Sequence, residues 1–183
     1  MTKRFVVMSG LPGSGKTTIG RQLAASIGLA FIDKDDILDR LFESRGVGDA
    51  QWRRTLSRDS DAILQAEAAA SRGAVLVSHW RLAGMSAESG TPTDWLRSQS
   101  NVVVNVRCVC PPALATARFV SRSRHPGHRD AERSRAEIQS SIVAVAALPP
   151  LDLGFLIEVD ASESLALDVV VRRVAEAFET PSL

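Results

Sequence analysis

Apolar residues occur in two alternating spacings. Short runs of adjacent aliphatic residues, Arg4 to Met8, Leu29 to Ile32, Ala74 to Ser78, Asn101 to Cys110 and Phe155 to Val159, read as strands. Between them, apolar residues recur at helical spacing. One helix is expected from about Lys16 to Ile27, closed by Gly28, and a second carries Ile37, Leu38, Leu41 and Phe42 and ends at Arg45-Gly46. A long helix is expected from Trp52 to Ser71, stopped by Gly73. Others run from Ala113 to about Arg122, from about Ala131 to Ala147 and from Leu165 to Phe178. The stretch Arg81 to Thr93, with Gly84, Gly90 and Pro92, reads as loop. Strands separated by helices predict an α/β fold, a five-stranded parallel sheet with helices on both faces, here as one domain over 1–183. Ligands of such sheets bind beyond the carboxyl ends of the strands. The residues there are Ser9-Gly10, Asp33 to Asp36, Ser78-His79, Cys110-Pro111 and Asp160.

Composition narrows the partners. Apolar residues are 45% and charged residues 23% of 183, and the net charge is +1. That is a globular profile without the field that would collect a polyanion, so polymeric nucleic acid is not an expected partner. The two cysteines, Cys108 and Cys110, lie two apart in an apolar run and read as buried thiols facing one way. No apolar run approaches the roughly 20 residues of a membrane helix, and Met1 to Val7 is too short for a signal peptide. A cytoplasmic protein without membrane contact is expected.

The segment Gly10-Leu11-Pro12-Gly13-Ser14-Gly15-Lys16-Thr17 matches G-x-x-x-x-G-K-[ST] in full, between a predicted strand and a predicted helix. Glycines there let backbone N–H groups curl around phosphate, and the helix start aims its partial positive charge at the same anion. The fold class is therefore a P-loop NTPase holding ATP or GTP with magnesium. Lys16 is expected to bridge the β- and γ-phosphates, Thr17 to ligate Mg2+, and Thr18 to lie near the α-phosphate. Asp33, Asp35 and Asp36 follow the second strand, whose end can lie beside that of the first. Asp35 is the candidate base for an attacking hydroxyl and Asp33 the candidate magnesium-shell residue. The plain alternative for Asp35 or Asp36 is to cap the next helix.

With its acidic cluster Phe31-Ile32-Asp33-Lys34-Asp35-Asp36, this P-loop resembles the small P-loop kinases, closest to the group of chloramphenicol phosphotransferase, the kinase half of polynucleotide kinase and the zeta toxins. The resemblance implies that Asp35 is the base, that the nucleotide is ATP, and that adenine lies between Cys110-Pro111-Pro112 and Asp160-Ala161-Ser162. The chain departs from many P-loop proteins in having no aspartate at the end of the third strand, which reads Ala74-Val75-Leu76-Val77-Ser78-His79. That argues against the oligomeric mechanical ATPases.

Arg118, Arg122, Arg124, Arg129 and Arg133 surround His125-Pro126-Gly127-His128. Arg118 and Arg122, four apart, share a helix face. The position matches the lid of the small kinases, about residues 121–131. Arg122 and Arg124 are candidates for stabilising the transferred group, and Arg118 for binding nucleotide. The alternative is a solvated basic stretch paired with Asp130, Glu132 and Glu137. A helical insertion, about residues 36–72, is where such kinases bind the acceptor. Trp52, Arg53 and Arg54 stand out in it, and Arg54, His79 and Arg81 are the substrate candidates. The expected function is an ATP-dependent phosphotransferase acting on a hydroxyl of an antibiotic-, sugar- or nucleoside-like molecule. A nucleotide switch with slow hydrolysis and a nucleic-acid 5′-hydroxyl kinase are the alternatives.

Overall fold

The computed structural model describes residues 3–163 and 165–180, so the expected 1–183 span runs outside the described residues at both ends. Strands β1 (Arg4–Gly10), β2 (Ala30–Asp33), β3 (Gly73–Val77), β4 (Val102–Val109) and β5 (Phe155–Asp160) form one parallel sheet in the order β2-β3-β1-β4-β5. The helices are α1 (Lys16–Ile27), α2 (Lys34–Arg45), α3 (Ala50–Ala70), α4 (Asp94–Gln99), α5 (Pro112–Ser121), α6 (Arg135–Ala146) and α7 (Leu167–Glu179).

Alternate residues of each strand serve opposite cores. Phe5 and Val7 face a cluster with Ile37, Leu41, Leu56 and Leu64 of α2 and α3. Val6 and Met8 face Ile19 and Leu23 of α1 and Val170 and Val174 of α7. Because both faces are covered, the strands carry unbroken aliphatic runs instead of an alternation. A smaller cluster, with Phe119, Ile138 and Ile142, joins α5 to α6.

The sheet order corrects one expectation. β2 does not lie beside β1, because β3 occupies the position between them. Helix α1 packs over β3, so the crossover from β1 spans two strand positions before the chain re-enters the sheet. Element ends also move, for local reasons. Asp49 caps α3 by accepting from the Trp52 N–H, which starts that helix at Ala50. Gly73 opens β3 rather than stopping the helix, which ends at Ala70. Ser134 and Glu137 form a capping box that starts α6 at Arg135, leaving 126–132 as two short 3-10 turns. Helix α4 was not foreseen. It has six residues and buries only Leu96, too little for a period to register.

Candidate active site

The loop from β1 to α1 forms a cradle. Gly13 and Gly15 have φ of 82° and 93°, in the left-handed region that only glycine enters freely. A Cβ on Gly13 would also collide with the Ala115 carbonyl. Helix α1 starts without a side-chain cap and with no acidic residue in its first turn, so its leading N–H groups face the cradle uncontested. The Ser14 hydroxyl is buried there without a hydrogen-bond partner. Lys16 Nζ donates to the carbonyls of Gly10 (2.9 Å) and Leu11 (2.8 Å). Burial lowers its pKa to about 8, against the raising effect of Cys108 and Asp35. An ammonium held in the loop by two carbonyls, beside a buried hydroxyl without a partner, fits an oxyanion ligand.

Asp33 sits at the end of β2 and is 4% exposed. One carboxylate oxygen accepts from the Asp35 N–H at 2.9 Å and caps α2; the other accepts from Thr17 Oγ1 at 2.8 Å. The cap is thus Asp33, not Asp35 or Asp36. Among the described residues no group of three or more His, Cys, Asp or Glu could hold a metal ion. A magnesium ion here would take Thr17 and Asp33 together with nucleotide oxygens and water, and these hard oxygen donors fit it. Burial, then the Asp35 charge, raises the Asp33 pKa to about 6 from 3.8. The folded state therefore holds this proton more tightly than the unfolded chain. The resulting stability is fully present below about pH 4 and is lost as pH rises through 6, for a cost of about 3 kcal/mol at most. Asp33→Asn keeps a capping oxygen and removes the buried charge. The nucleotide-free variant is expected to melt about 5 °C above wild type at pH 8 and not at pH 4. Its magnesium-dependent nucleotide binding should be lost. Calorimetry and titration at both pH values check this.

The polar segment after α5 folds back over the same end of the sheet. Arg124, 16% exposed at its side chain, pairs with Asp35 at 2.5 Å and with Asp130 at 2.9 Å. Burial would raise the Asp35 pKa, but Arg124, then His128, Arg122 and Lys16, hold it below the usual carboxylate range. Arg122 lies over the Phe119 ring at 4.1 Å and 4.0 Å from Asp130. The segment is fastened to α2. His125 stacks on Phe42 at 5.2 Å, His128 meets the same ring edge-on at 5.5 Å, and a Cβ on Gly127 would strike it. The His128 Nε2 lies 2.6 Å from Asp39. Burial and then Arg124 lower the His128 pKa, so the ring is neutral and donates to Asp39. The Arg-His-Pro-Gly-His run is therefore a clasp on Phe42. Phe42→Ala should destabilise the fold by about 3–5 kcal/mol and expose 122–134 to protease. Phe42→Leu, which refills most of the volume, should recover stability but not the protection given by ring stacking. Thermal melts and limited proteolysis separate the two.

Beyond β2 and β3 opens a cavity of about 590 Å³ between α3 and the 79–92 loop, reached by Lys34, Asp35, Arg53, Arg54, His79 and Arg81. Part of its frame is a hydrogen-bonded polar network. Lys34 pairs with Asp61 at 2.6 Å, and Thr91 links Asp61 (2.8 Å) to Ser78 (2.6 Å). Trp80, buried, donates to the Met8 carbonyl at 2.8 Å and ties this loop to β1. Desolvation, then Lys16 and Lys34, lowers the His79 pKa, so it is neutral at pH 7.

Most expected residues converge, with four differences. Arg118 does not join Arg122 and Arg124. It donates to the carbonyls of Ala161 (2.6 Å) and Ser162 (3.1 Å), because α5 ends at Ser121 and the shared face ends with it. It stands where the Ala161 N–H bonds Val109 (2.8 Å), the position expected for the base. Arg81 is spent on the carbonyls of Ser89 (3.0 Å) and Gly90 (3.4 Å). Arg54 is exposed, whereas its neighbour Arg53 turns inward, its Nε buried without a partner. Arg129 and Arg133 remain outside, on Glu132 and Ser141. Asp39, Phe42, Asp61 and Thr91 were missed. Nothing local marks Asp61 or Thr91, while Phe42 was read only as core. The two cysteines are buried and unpaired as expected, and burial raises the Cys108 pKa to about 12.

Fold and cradle together define a P-loop NTPase. The chain belongs to the AAA domain family, whose model matches residues 5–144. It is 33% identical over 103 residues to the shikimate kinase of Corynebacterium glutamicum, covering 56% of this chain and 58% of that one. The chain thus spans a little over half the length of that relative. A solved structure from Chloroflexus aurantiacus, provisionally assigned as a kinase, superposes with a TM-score of 0.79 at 25% identity, over 97% of this chain and 99% of that one. A gluconokinase from Sinorhizobium meliloti shares the fold, with a TM-score of 0.56 at 17% identity over 96% and 91%. None of these matches singles out the chloramphenicol phosphotransferase or zeta toxin group. Among the described residues no helix is long and apolar enough to cross a membrane.

Proposed function

We propose that the chain is an ATP-dependent phosphotransferase that moves the γ-phosphoryl group to a hydroxyl of a small molecule, in the cytoplasm. The carrying observation is that Asp35, on the wall of the polar cavity, pairs with Arg124 at 2.5 Å and interacts with Lys16 of the cradle, so that cradle, carboxylate and arginine segment meet at one end of the sheet. The span 1–183 would be one kinase-like unit, with 121–131 as lid and 36–72 on the acceptor side.

In the proposed reaction the acceptor oxygen attacks the γ-phosphorus, and the bond from phosphorus to the β–γ bridging oxygen breaks. ADP leaves, and the hydroxyl proton passes to Asp35. Magnesium, when bound, neutralises developing charge on the phosphate oxygens. The backbone of Gly10, Leu11, Pro12, Gly13, Ser14 and Gly15 would cradle the phosphates, with Thr18 beside the α-phosphate and Arg118 on the base side. Arg122 and Arg124 would shield the transferring group from water. Arg124 now engages Asp35, so productive binding would require it to exchange this carboxylate for phosphate.

The test is ADP release from ATP and magnesium with and without hydroxyl compounds, shikimate among them, together with sugars, nucleosides, aminoglycosides, chloramphenicol and a 5′-hydroxyl oligonucleotide. Strong stimulation with a phosphorylated product supports the reading. A low rate that no acceptor raises, with tight nucleotide binding, would favour a nucleotide switch instead.

A further inference from the structure

The cavity has an uneven charge balance. Lys34 and Asp61 neutralise one another at 2.6 Å. Asp35 is engaged by Arg124, and Arg81 by backbone carbonyls. Arg58 and Glu88 form a solvated pair at 3.7 Å. Two guanidinium groups remain on the wall, Arg53 and Arg54, with no ion pair to either among the described residues. Arg53 is half-buried, and its Nε is inaccessible to water and lacks a hydrogen-bond partner. An Nε–H so placed forfeits hydration without recovering it from protein, a cost relieved when an acceptor arrives.

Resting on the kinase reading of this site, we propose that the acceptor carries an oxyanion, a carboxylate or phosphate monoester, bound by Arg53 with Arg54 at the rim, while its hydroxyl faces Asp35. Three features support this. Burial, then the nearby Arg124 charge, lowers the Arg53 pKa, and the smaller effects of the Asp130 and Asp35 charges do not offset this. The planar guanidinium offers the paired donors that carboxylate and phosphate accept bidentately. Arg53 and Asp35 line the same cavity of about 590 Å³, within the size range of small-molecule sites. An antibiotic, sugar or nucleoside without an anionic group would leave Arg53 without a counter-ion.

The test uses the full chain saturated with magnesium and a non-hydrolysable ATP analogue, so that the cradle does not compete for anions. Thermal shift is read with gluconate against glucitol, shikimate against its methyl ester, and glycerol 3-phosphate against glycerol. Stabilisation by the acid or phosphate member of a pair, absent with its neutral partner, is the expected result. The chemistry of that member says whether carboxylate or phosphate is recognised. For any compound turned over with ATP, Arg53→Gln should raise KM about tenfold or more while lowering kcat less. Arg53→Lys should restore only part of it. Equal shifts within every pair, no shift with any anion, or an unchanged KM in Arg53→Gln would each overturn the proposal. Preferred phosphorylation of a neutral compound would overturn it and leave the kinase intact. Anion binding without transfer to any acceptor would uphold the anion site and sink the kinase reading.

Discussion

Asp35→Asn is expected to lower kcat by about 10²–10⁴-fold, with ATP affinity little changed. The substitution removes the proton acceptor and almost no volume. Arg124 would lose its 2.5 Å partner but keep Asp130 at 2.9 Å, so the arginine segment stays anchored. The pH profile adds a second, independent reading. Asp35 is held below the usual carboxylate range and is ionised through the neutral region, so it does not set an acid limb near pH 6. In the proposed reaction Asp33 does, because burial raises its pKa to about 6 and it would have to be ionised to take magnesium. kcat/KM of wild type should therefore fall as pH drops through about 6, and the residual activity of Asp35→Asn should show the same limb displaced to lower pH, because the Asp35 charge that helps raise the Asp33 pKa is gone. An Asp35→Asn enzyme working at the wild-type rate would reduce Asp35 to a counter-ion for Arg124.

How far the sequence carried this site depends on what kind of interaction placed each residue. The cradle could be read outright, because every member is local to one strand-to-helix turn and its glycines follow from backbone geometry. The strands could be read because doubly covered strands are aliphatic throughout. Asp33 was expected in the magnesium shell, whereas the work the structure shows for it is the cap of α2, which was the alternative for Asp35 or Asp36; a cap and a metal ligand ask for the same residue type. Its neighbour across the cleft, Thr17, became a hydrogen-bond partner through a crossover that no periodicity reveals. The frame of the cavity was invisible. Asp61 looks like any solvated residue on a long helix until Lys34 and Thr91 meet it from 27 and 30 residues away. Arg53 and Arg54 are adjacent and chemically identical. Only the rotation of α3, set by burying Leu56 and Leu64, turns Arg53 inward and leaves Arg54 outside. The fastening of 125–128 on Phe42 escaped for a related reason: an aromatic at a core position gives no sign that a distant pair of histidines covers it.

Lys16→Ala is expected to weaken ATP binding by about 10²-fold or more, through loss of charge-assisted bonds to two phosphates. The free protein should not suffer in proportion. Its buried ammonium has a pKa of about 8 against 10.5 unfolded, so the folded state releases this proton more readily and gains stability as pH rises between those values. The charge is therefore a burden at neutral pH, offset in part by the bonds to Gly10 and Leu11, and alanine removes both together. The variant should melt near the wild-type temperature yet lose the increase that nucleotide gives wild type. ATP needs the protonated lysine, so wild-type affinity should decline above about pH 8, by up to about tenfold per pH unit. Alanine has no proton to lose and should show no such decline. Calorimetric titration of both proteins from pH 7 to 9.5 measures the two effects at once. Equal ATP affinity in the two proteins, or the same alkaline decline in the alanine variant, would mean that Lys16 does not hold the phosphates.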